Sequence, residues 1–61
     1  MNHNPYNFKE NDNVILDEEY NNPLEVTIYY FTPMKMYAIV HIIGDDVFRW
    51  TVMTNRLTPI K

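Results

Sequence analysis

Cysteine and serine are both absent from this 61-residue chain, and glycine occurs only once. Without cysteine, neither a disulfide nor a thiolate-bound metal can stabilise the fold, and without cysteine or serine the usual nucleophiles of covalent catalysis are missing. The lack of cysteine also fits a reducing, intracellular compartment. A chain this short buries only about 60% of its unfolded surface, so its stability must come from apolar side chains or from a partner subunit.

Basic residues are scarce as well. Five Lys and Arg stand against eight Asp and Glu, for a net charge of −3, which disfavours a protein that binds nucleic-acid phosphates. The longest apolar run, residues 36–43, contains His41 and is far too short to cross a bilayer. The polar N-terminal residues do not form the apolar segment of a secretory signal. These features predict a soluble, cytoplasmic protein that does not enter membranes.

The chain is rich in apolar and aromatic residues, at 46% and 15%, which is too much for a disordered segment. It also contains eight asparagines, a bias common in proteins from AT-rich genomes. Size and composition together suggest a small phage or mobile-element protein that binds and modulates a host protein.

Short alternating segments separated by turn signals predict strands rather than helices. In residues 24–31, the alternation assigns Ile28 and Tyr30 to one face and Phe31 to the other. The single glycine, Gly44, opens a predicted hairpin turn at 44–46, where a positive φ is needed. The predicted strands are Val14–Leu16, Leu24–Phe31, Met36–Ile43, Val47–Met53 and Leu57–Ile60.

The predicted fold is all-β: a single five-stranded barrel with a short 3₁₀ turn at residues 54–56, before the last strand. A flat sheet of this size would leave two open edges, and closure into a barrel would remove them. Residues 1–7 are predicted to form a flexible arm, and residues 8–61 the barrel.

Two segments resemble the SH3-like small β-barrels of the Tudor and bacterial or phage type. Residues 8–16, FKENDNVIL, match the family's opening aromatic, turn and alternating strand, with Asn11 in place of the usual glycine. Residues 44–52, GDDVFRWTV, and 55–60, NRLTPI, match its distal hairpin and closing strand. The Ala-Leu-Tyr-Asp-Tyr signature and the KOW signature are both missing, so neither PxxP-peptide binding nor an RNA-binding role is implied. The resemblance implies a scaffold only, because a fold does not determine a function.

The chain has more aromatic side chains than so small a core can hide, which predicts a non-catalytic protein-interaction module. Phe48 and Val52 are predicted to point into the interior, whereas Trp50 is equally compatible with the core and with a binding surface. An acidic stretch beside Tyr20 is suited to a basic partner segment. The predicted partner-binding residues are Tyr20, Tyr29, Tyr37, Trp50, Asp17, Glu18 and Glu19.

Two alternatives remain open. The first is a nucleic-acid-binding barrel that uses Lys35, Arg49 and Arg56 beside exposed rings, and the second is a structural homodimer formed through edge strands. Asp45 and Asp46 lie near His41 in the sequence but lack further ligands at a suitable spacing, so no metal, cofactor or catalytic residue is predicted. The chain is therefore not expected to be an enzyme.

Overall fold

The computed structural model describes residues 3–16 and 23–60, which form an all-β structure. Two single 3₁₀ turns, Pro33–Lys35 and Thr54–Arg56, accompany the strands. The prediction of five strands with a 3₁₀ turn before the last one is confirmed. The strands are β1 (Asn13–Leu16), β2 (Leu24–Phe31), β3 (Tyr37–Ile42), β4 (Asp45–Met53) and β5 (Leu57–Pro59).

The strands form one antiparallel sheet in the order β4-β3-β2-β1-β5. This arrangement is compatible with a small β-barrel-like fold, but the sheet is not closed, because no ladder joins β4 to β5 within the described residues. The prediction that the sheet closes into a barrel is therefore wrong. Strand β5 has only three residues and includes Pro59, which lacks the N–H that a further ladder would need.

The core lies on one face of the sheet, where alternate residues of the strands point inward. Each fully buried Val, Leu or Ile stabilises the fold by roughly 1.5–3 kcal/mol relative to an exposed one, so these few side chains supply much of the driving force for folding. The buried hydrophobic residues are Phe8, Val14, Leu16, Val26, Ile28, Ala38, Val40 and Leu57.

A β-bulge in β2 changes the phase of that strand. Ile28 pairs with Val40 and Tyr30 pairs with Ile39, so Tyr29 is an extra residue with no partner in β3. The insertion of one residue shifts the following side chains to the opposite faces. The predicted alternation is consequently wrong beyond Ile28: Tyr30 is exposed, whereas Phe31 packs against the core.

A second irregularity interrupts the β3–β4 hairpin. His41 pairs with Arg49, but the next residue of β3, Ile42, pairs with Asp45, so residues 46–48 have no partners in β3. Phe48 consequently lies beyond the core and is 69% exposed, which corrects its predicted position in the interior. Strand β4 begins at Asp45, and Gly44 has the predicted positive φ, of 87°.

The N-terminal residues are joined through Asn4 to Phe8, which belongs to the core. The buried Asn4 side chain makes two backbone hydrogen bonds to Phe8: Nδ2 donates to the Phe8 carbonyl at 3.0 Å, and Oδ1 accepts from the Phe8 N–H at 3.0 Å. The ring of Tyr6 packs 5.5 Å from that of Phe8. These contacts join residues 4–8 into one local unit, and the flexibility predicted for residues 1–7 stays a prediction.

Candidate functional site

The outer face of β2 and β3, opposite the core, is rich in tyrosine. Ala38 and Val40 are buried, so the residues that alternate with them, Tyr37 and Ile39, point outward. The bulge adds two consecutive tyrosines from β2 to the same side, and β4 contributes Met53 opposite Tyr37. We define the tyrosine face as Tyr29, Tyr30, Tyr37, Ile39 and Met53.

Neighbouring side chains contact two rings of the tyrosine face, Tyr29 and Tyr30. Tyr29 makes an edge contact with Tyr30 at 5.2 Å between ring centroids and another with His41 at 6.5 Å. The Arg49 guanidinium lies 4.2 Å from the Tyr29 ring centroid, a cation–π contact worth about 0.5–1 kcal/mol at an exposed site. Rings that are already ordered lose less conformational entropy when a partner binds.

The β2–β3 loop borders the tyrosine face. The Thr32 N–H donates to the Tyr37 carbonyl at 2.9 Å, and the Thr32 Oγ1 accepts from the Tyr37 N–H at 3.1 Å. Inside this closed loop, Met34 and Lys35 both have positive φ values, 64° and 55°. Residues other than glycine are uncommon in this region, and here the geometry holds the Met34 side chain out in solvent.

Trp50 belongs to the opposite side of the sheet. It pairs with the buried Val40, is half-buried, and packs against the core, with the exposed Phe48 ring 6.0 Å away. The structure therefore places Tyr29 and Tyr37 on the same face of the sheet and Trp50 on the other. The remaining predicted partner-binding residues lie outside the described part of the chain: Asp17, Glu18, Glu19 and Tyr20.

The three predicted nucleic-acid-binding cations do not form one strip. The Thr54 N–H donates to the Met36 carbonyl at 3.0 Å, which brings the two 3₁₀ turns, with Lys35 and Arg56, to the same end of the sheet. Arg49 lies four residues before Met53 along β4, about 13 Å from that end at the usual strand rise. Lys35 and Arg49 each cover an aromatic ring, Phe31 at 5.2 Å and Tyr29 at 4.2 Å.

Comparison with known protein families, curated proteins and solved structures found no match.

Within residues 3–16 and 23–60, no group of three or more His, Asp or Glu side chains is arranged to hold a metal ion. His41 instead directs Nδ1 at the carbonyl of Ile42, 3.1 Å away. The same residues include no helix with the length and apolar character needed to cross a membrane.

A groove on the outer side of β1 and β5 lies apart from the tyrosine face. It has a volume of about 630 Å³ and is lined by Tyr6, Ile15, Glu25, Thr58, Pro59 and Ile60. Tyr6 is exposed there, so it provides a matched tyrosine outside the tyrosine face.

Sequence reasoning missed Tyr30 as a site residue because strict alternation placed it with Ile28. The signal that could have found it is the run of three aromatics, Tyr29 to Phe31. Three successive large rings fit a half-buried strand poorly unless a bulge places two of them on the solvent side.

Proposed function

We propose that this chain is a non-catalytic protein-binding module of the SH3-like small-barrel type, and that it binds its partner through the tyrosine face. The observation that carries the proposal is the β2 bulge, which places Tyr29 and Tyr30 side by side on the exposed face that also carries Tyr37. The three rings are between 39% and 45% exposed. Tyrosine is enriched in protein interfaces because it combines a large apolar ring with a hydrogen-bonding hydroxyl.

The composition of the tyrosine face fits a protein surface with apolar side chains and hydrogen-bond acceptors. Ile39 and Met53 contribute aliphatic side chains, and the three tyrosine hydroxyls can form hydrogen bonds. The predicted acidic residues 17–19 extend the proposal to a partner with a basic segment beside its apolar contact. The small size and the asparagine-rich composition support a more specific proposal, in which the chain is a phage protein that binds and modulates a host protein.

Nucleic-acid binding receives less support. Stacking of bases requires open ring faces next to a cationic track. Arg49 already covers a face of Tyr29 and lies about 13 Å from the end of the sheet that carries Lys35 and Arg56, so the three cations do not form a track. The net charge of −3 also opposes approach to phosphates. We expect no salt-sensitive binding to single- or double-stranded oligonucleotides in a fluorescence-anisotropy titration at low salt.

The protein-binding proposal is tested with Tyr30→Ala and Tyr37→Ala, with Tyr6→Ala as the matched control. A partner is captured with the wild-type chain, identified, purified and titrated against all four proteins by calorimetry. We expect the first two variants to weaken binding by about tenfold or more, as for interface tyrosines of central importance, and Tyr6→Ala to bind like the wild type.

Near-ultraviolet circular dichroism confirms that each variant is folded before its affinity is compared. Equal loss of binding in all three variants would show that the tyrosine face has no special role, and unchanged binding in Tyr30→Ala and Tyr37→Ala would refute the proposal.

A further inference from the structure

A pocket between two loops near the end of β2 carries two lysines. The first loop is residues 9–12, just before β1, and the second is the β2–β3 loop, residues 32–36. The pocket has a volume of about 600 Å³ and shares no residue with the tyrosine face. We call it the lysine pocket after Lys9 and Lys35, which line it together with Glu10, Asn11, Phe31 and Met34.

Unusual backbone conformations concentrate in the lysine pocket. Four non-glycine residues in the described part of the chain have a positive φ, and three of them line this pocket: Asn11 at 72°, Met34 at 64° and Lys35 at 55°. Asparagine visits this region readily, whereas methionine and lysine rarely do. Strained residues of this kind cluster at binding sites, where the surrounding structure holds them in place. The backbone therefore points to the lysine pocket as a binding site.

Hydrogen bonds between backbone groups fix both loops. The Asn11 N–H donates to the Ile28 carbonyl at 2.7 Å and the Ile28 N–H donates to the Asp12 carbonyl at 2.9 Å, which joins the first loop to β2. In the second loop, the Lys35 N–H donates to the Thr32 carbonyl at 2.9 Å. A ligand consequently meets a preformed pocket and does not have to order either loop.

The side chains of the lysine pocket combine cationic and apolar groups. The Lys35 Nζ lies 5.2 Å from the Phe31 ring centroid. Met34 is 82% exposed, and its flexible, polarizable side chain is of a kind common on binding surfaces. Glu10 offsets one of the two lysine charges, which leaves a single net positive charge among the lining residues. This charge matches one carboxylate better than it matches a phosphate dianion.

We propose that the lysine pocket binds a partner segment in which an aspartate or glutamate stands beside a large apolar side chain. The carboxylate lies between Lys9 and Lys35, and the apolar side chain packs on Phe31 and Met34. This proposal does not rest on the tyrosine face, because the two surfaces have no residue in common. It is tested with free peptides, so that either proposal can fail alone.

The first experiment locates the binding of defined peptides on the full wild-type chain by nitrogen-15 chemical-shift mapping. The probes are end-blocked pentapeptides in which one glutamate stands beside leucine, phenylalanine or tryptophan. We expect them to shift the backbone amide resonances of Lys9, Met34 and Lys35, with dissociation constants of about 1 mM or lower. The same peptides with glutamine in place of glutamate should bind about threefold or more weakly.

Inorganic phosphate is the second probe in this experiment, and it should shift the same resonances less than the glutamate peptides do at equal concentration. Failure of all the glutamate peptides to bind, equal binding of the glutamine peptides, or tighter binding of phosphate would each overturn the proposal.

The second experiment removes the two lysine charges one at a time, in Lys9→Gln and Lys35→Gln, with Val47→Glu as the matched control. All three substitutions lower the net charge by one, but Val47 lies outside the lysine pocket, on β4, and is 87% exposed. We expect both lysine variants to bind the glutamate peptides about threefold or more weakly than the wild type, and Val47→Glu to bind like the wild type. Equal weakening in all three would show that only the overall charge matters and would refute the proposal.

Met34→Gly separates binding from folding. Glycine adopts a positive φ without steric cost, so this variant should unfold at a higher urea concentration than the wild type. It should also bind the glutamate peptides about threefold or more weakly, because the apolar contact is lost. Wild-type affinity would show that Met34 takes no part in binding, and a lower urea midpoint would show that its backbone is not strained. Either result would contradict the role assigned to Met34.

Discussion

At the scale of single residues, Thr54 combines full burial with an unsatisfied hydroxyl. Its backbone N–H bonds to the Met36 carbonyl, but its Oγ1 has no hydrogen-bond partner among the described residues. A buried hydroxyl without a partner costs about 1–3 kcal/mol, whereas an apolar group of the same shape does not. We expect Thr54→Val to raise the free energy of unfolding by about 1 kcal/mol in urea denaturation.

Thr27→Val is the matched control for that substitution. The Thr27 Oγ1 donates to Asn13 Oδ1 at 2.7 Å, so the same replacement removes a hydrogen bond and should lower the free energy of unfolding by about 0.5–1.5 kcal/mol. Stabilisation by Thr27→Val together with destabilisation by Thr54→Val would contradict this assignment of the two hydroxyls.

At the scale of elements, the β2 bulge decides which aromatic rings are exposed. Removing Tyr29 would join Ile28 directly to Tyr30, and their present partners, Val40 and Ile39, are already consecutive in β3. The deletion should therefore leave a regular ladder with Phe31 still facing the core. We expect the Tyr29 deletion variant to fold, as measured by the near-ultraviolet signal of Trp50.

Deletion of Thr27 is the corresponding control, because that residue lies in a regular part of β2, opposite His41. Its loss shifts the hydrophobic residues on one side of the deletion to the solvent face, and we expect it to unfold the chain. If both deletions unfolded the chain to the same extent, Tyr29 would not be the extra residue of the bulge.

The same bulge shows where sequence reasoning succeeded and failed. Alternating apolar residues located all five strands, and Gly44 marked its turn, because these signals are local. The faces on which Tyr30 and Phe31 lie could not be predicted in the same way, because the position of a bulge depends on how β2 packs against β3 and the core. The predicted position of Phe48 was wrong for a related reason. Residues 46–48 have no partners in β3, so Phe48 lies beyond the core.

The candidate site was predictable only in part. Tyr29 and Tyr37 were identified as surface aromatics from their number and position, but their association with Tyr30 depends on the register between β2 and β3. Trp50 could not be assigned by alternation, and its pairing with Val40 places it on the core side. Closure into a barrel was wrong because it depends on whether β4 and β5 meet, which no local pattern encodes.

At the scale of the whole molecule, the small core leaves little stability in reserve. A 61-residue chain has a free energy of unfolding of roughly 3–9 kcal/mol at the usual value per residue. Leu57 is fully buried between β1 and the core, and its truncation to alanine typically costs about 2–5 kcal/mol. We expect Leu57→Ala to be largely unfolded at 37 °C by circular dichroism.

Phe48→Ala is the control for core dependence, because it removes a larger side chain that is mostly exposed. It should change the free energy of unfolding of the monomer by about 0.5 kcal/mol or less. If Leu57→Ala stayed folded and Phe48→Ala unfolded, the stability of the chain would depend on Phe48 and not on Leu57, which would contradict the core described here.

The contact between Asn4 and Phe8 also has a consequence for chemical ageing. Asparagine deamidates when the backbone nitrogen of the following residue attacks the side-chain amide, and a proline nitrogen bears no hydrogen to lose in that cyclisation. Pro5 follows Asn4, so the amide that holds Phe8 by two hydrogen bonds is protected from this route. Buried Asn4 should therefore keep its amide during long storage, while exposed Asn55, which is followed by Arg56, converts to aspartate first.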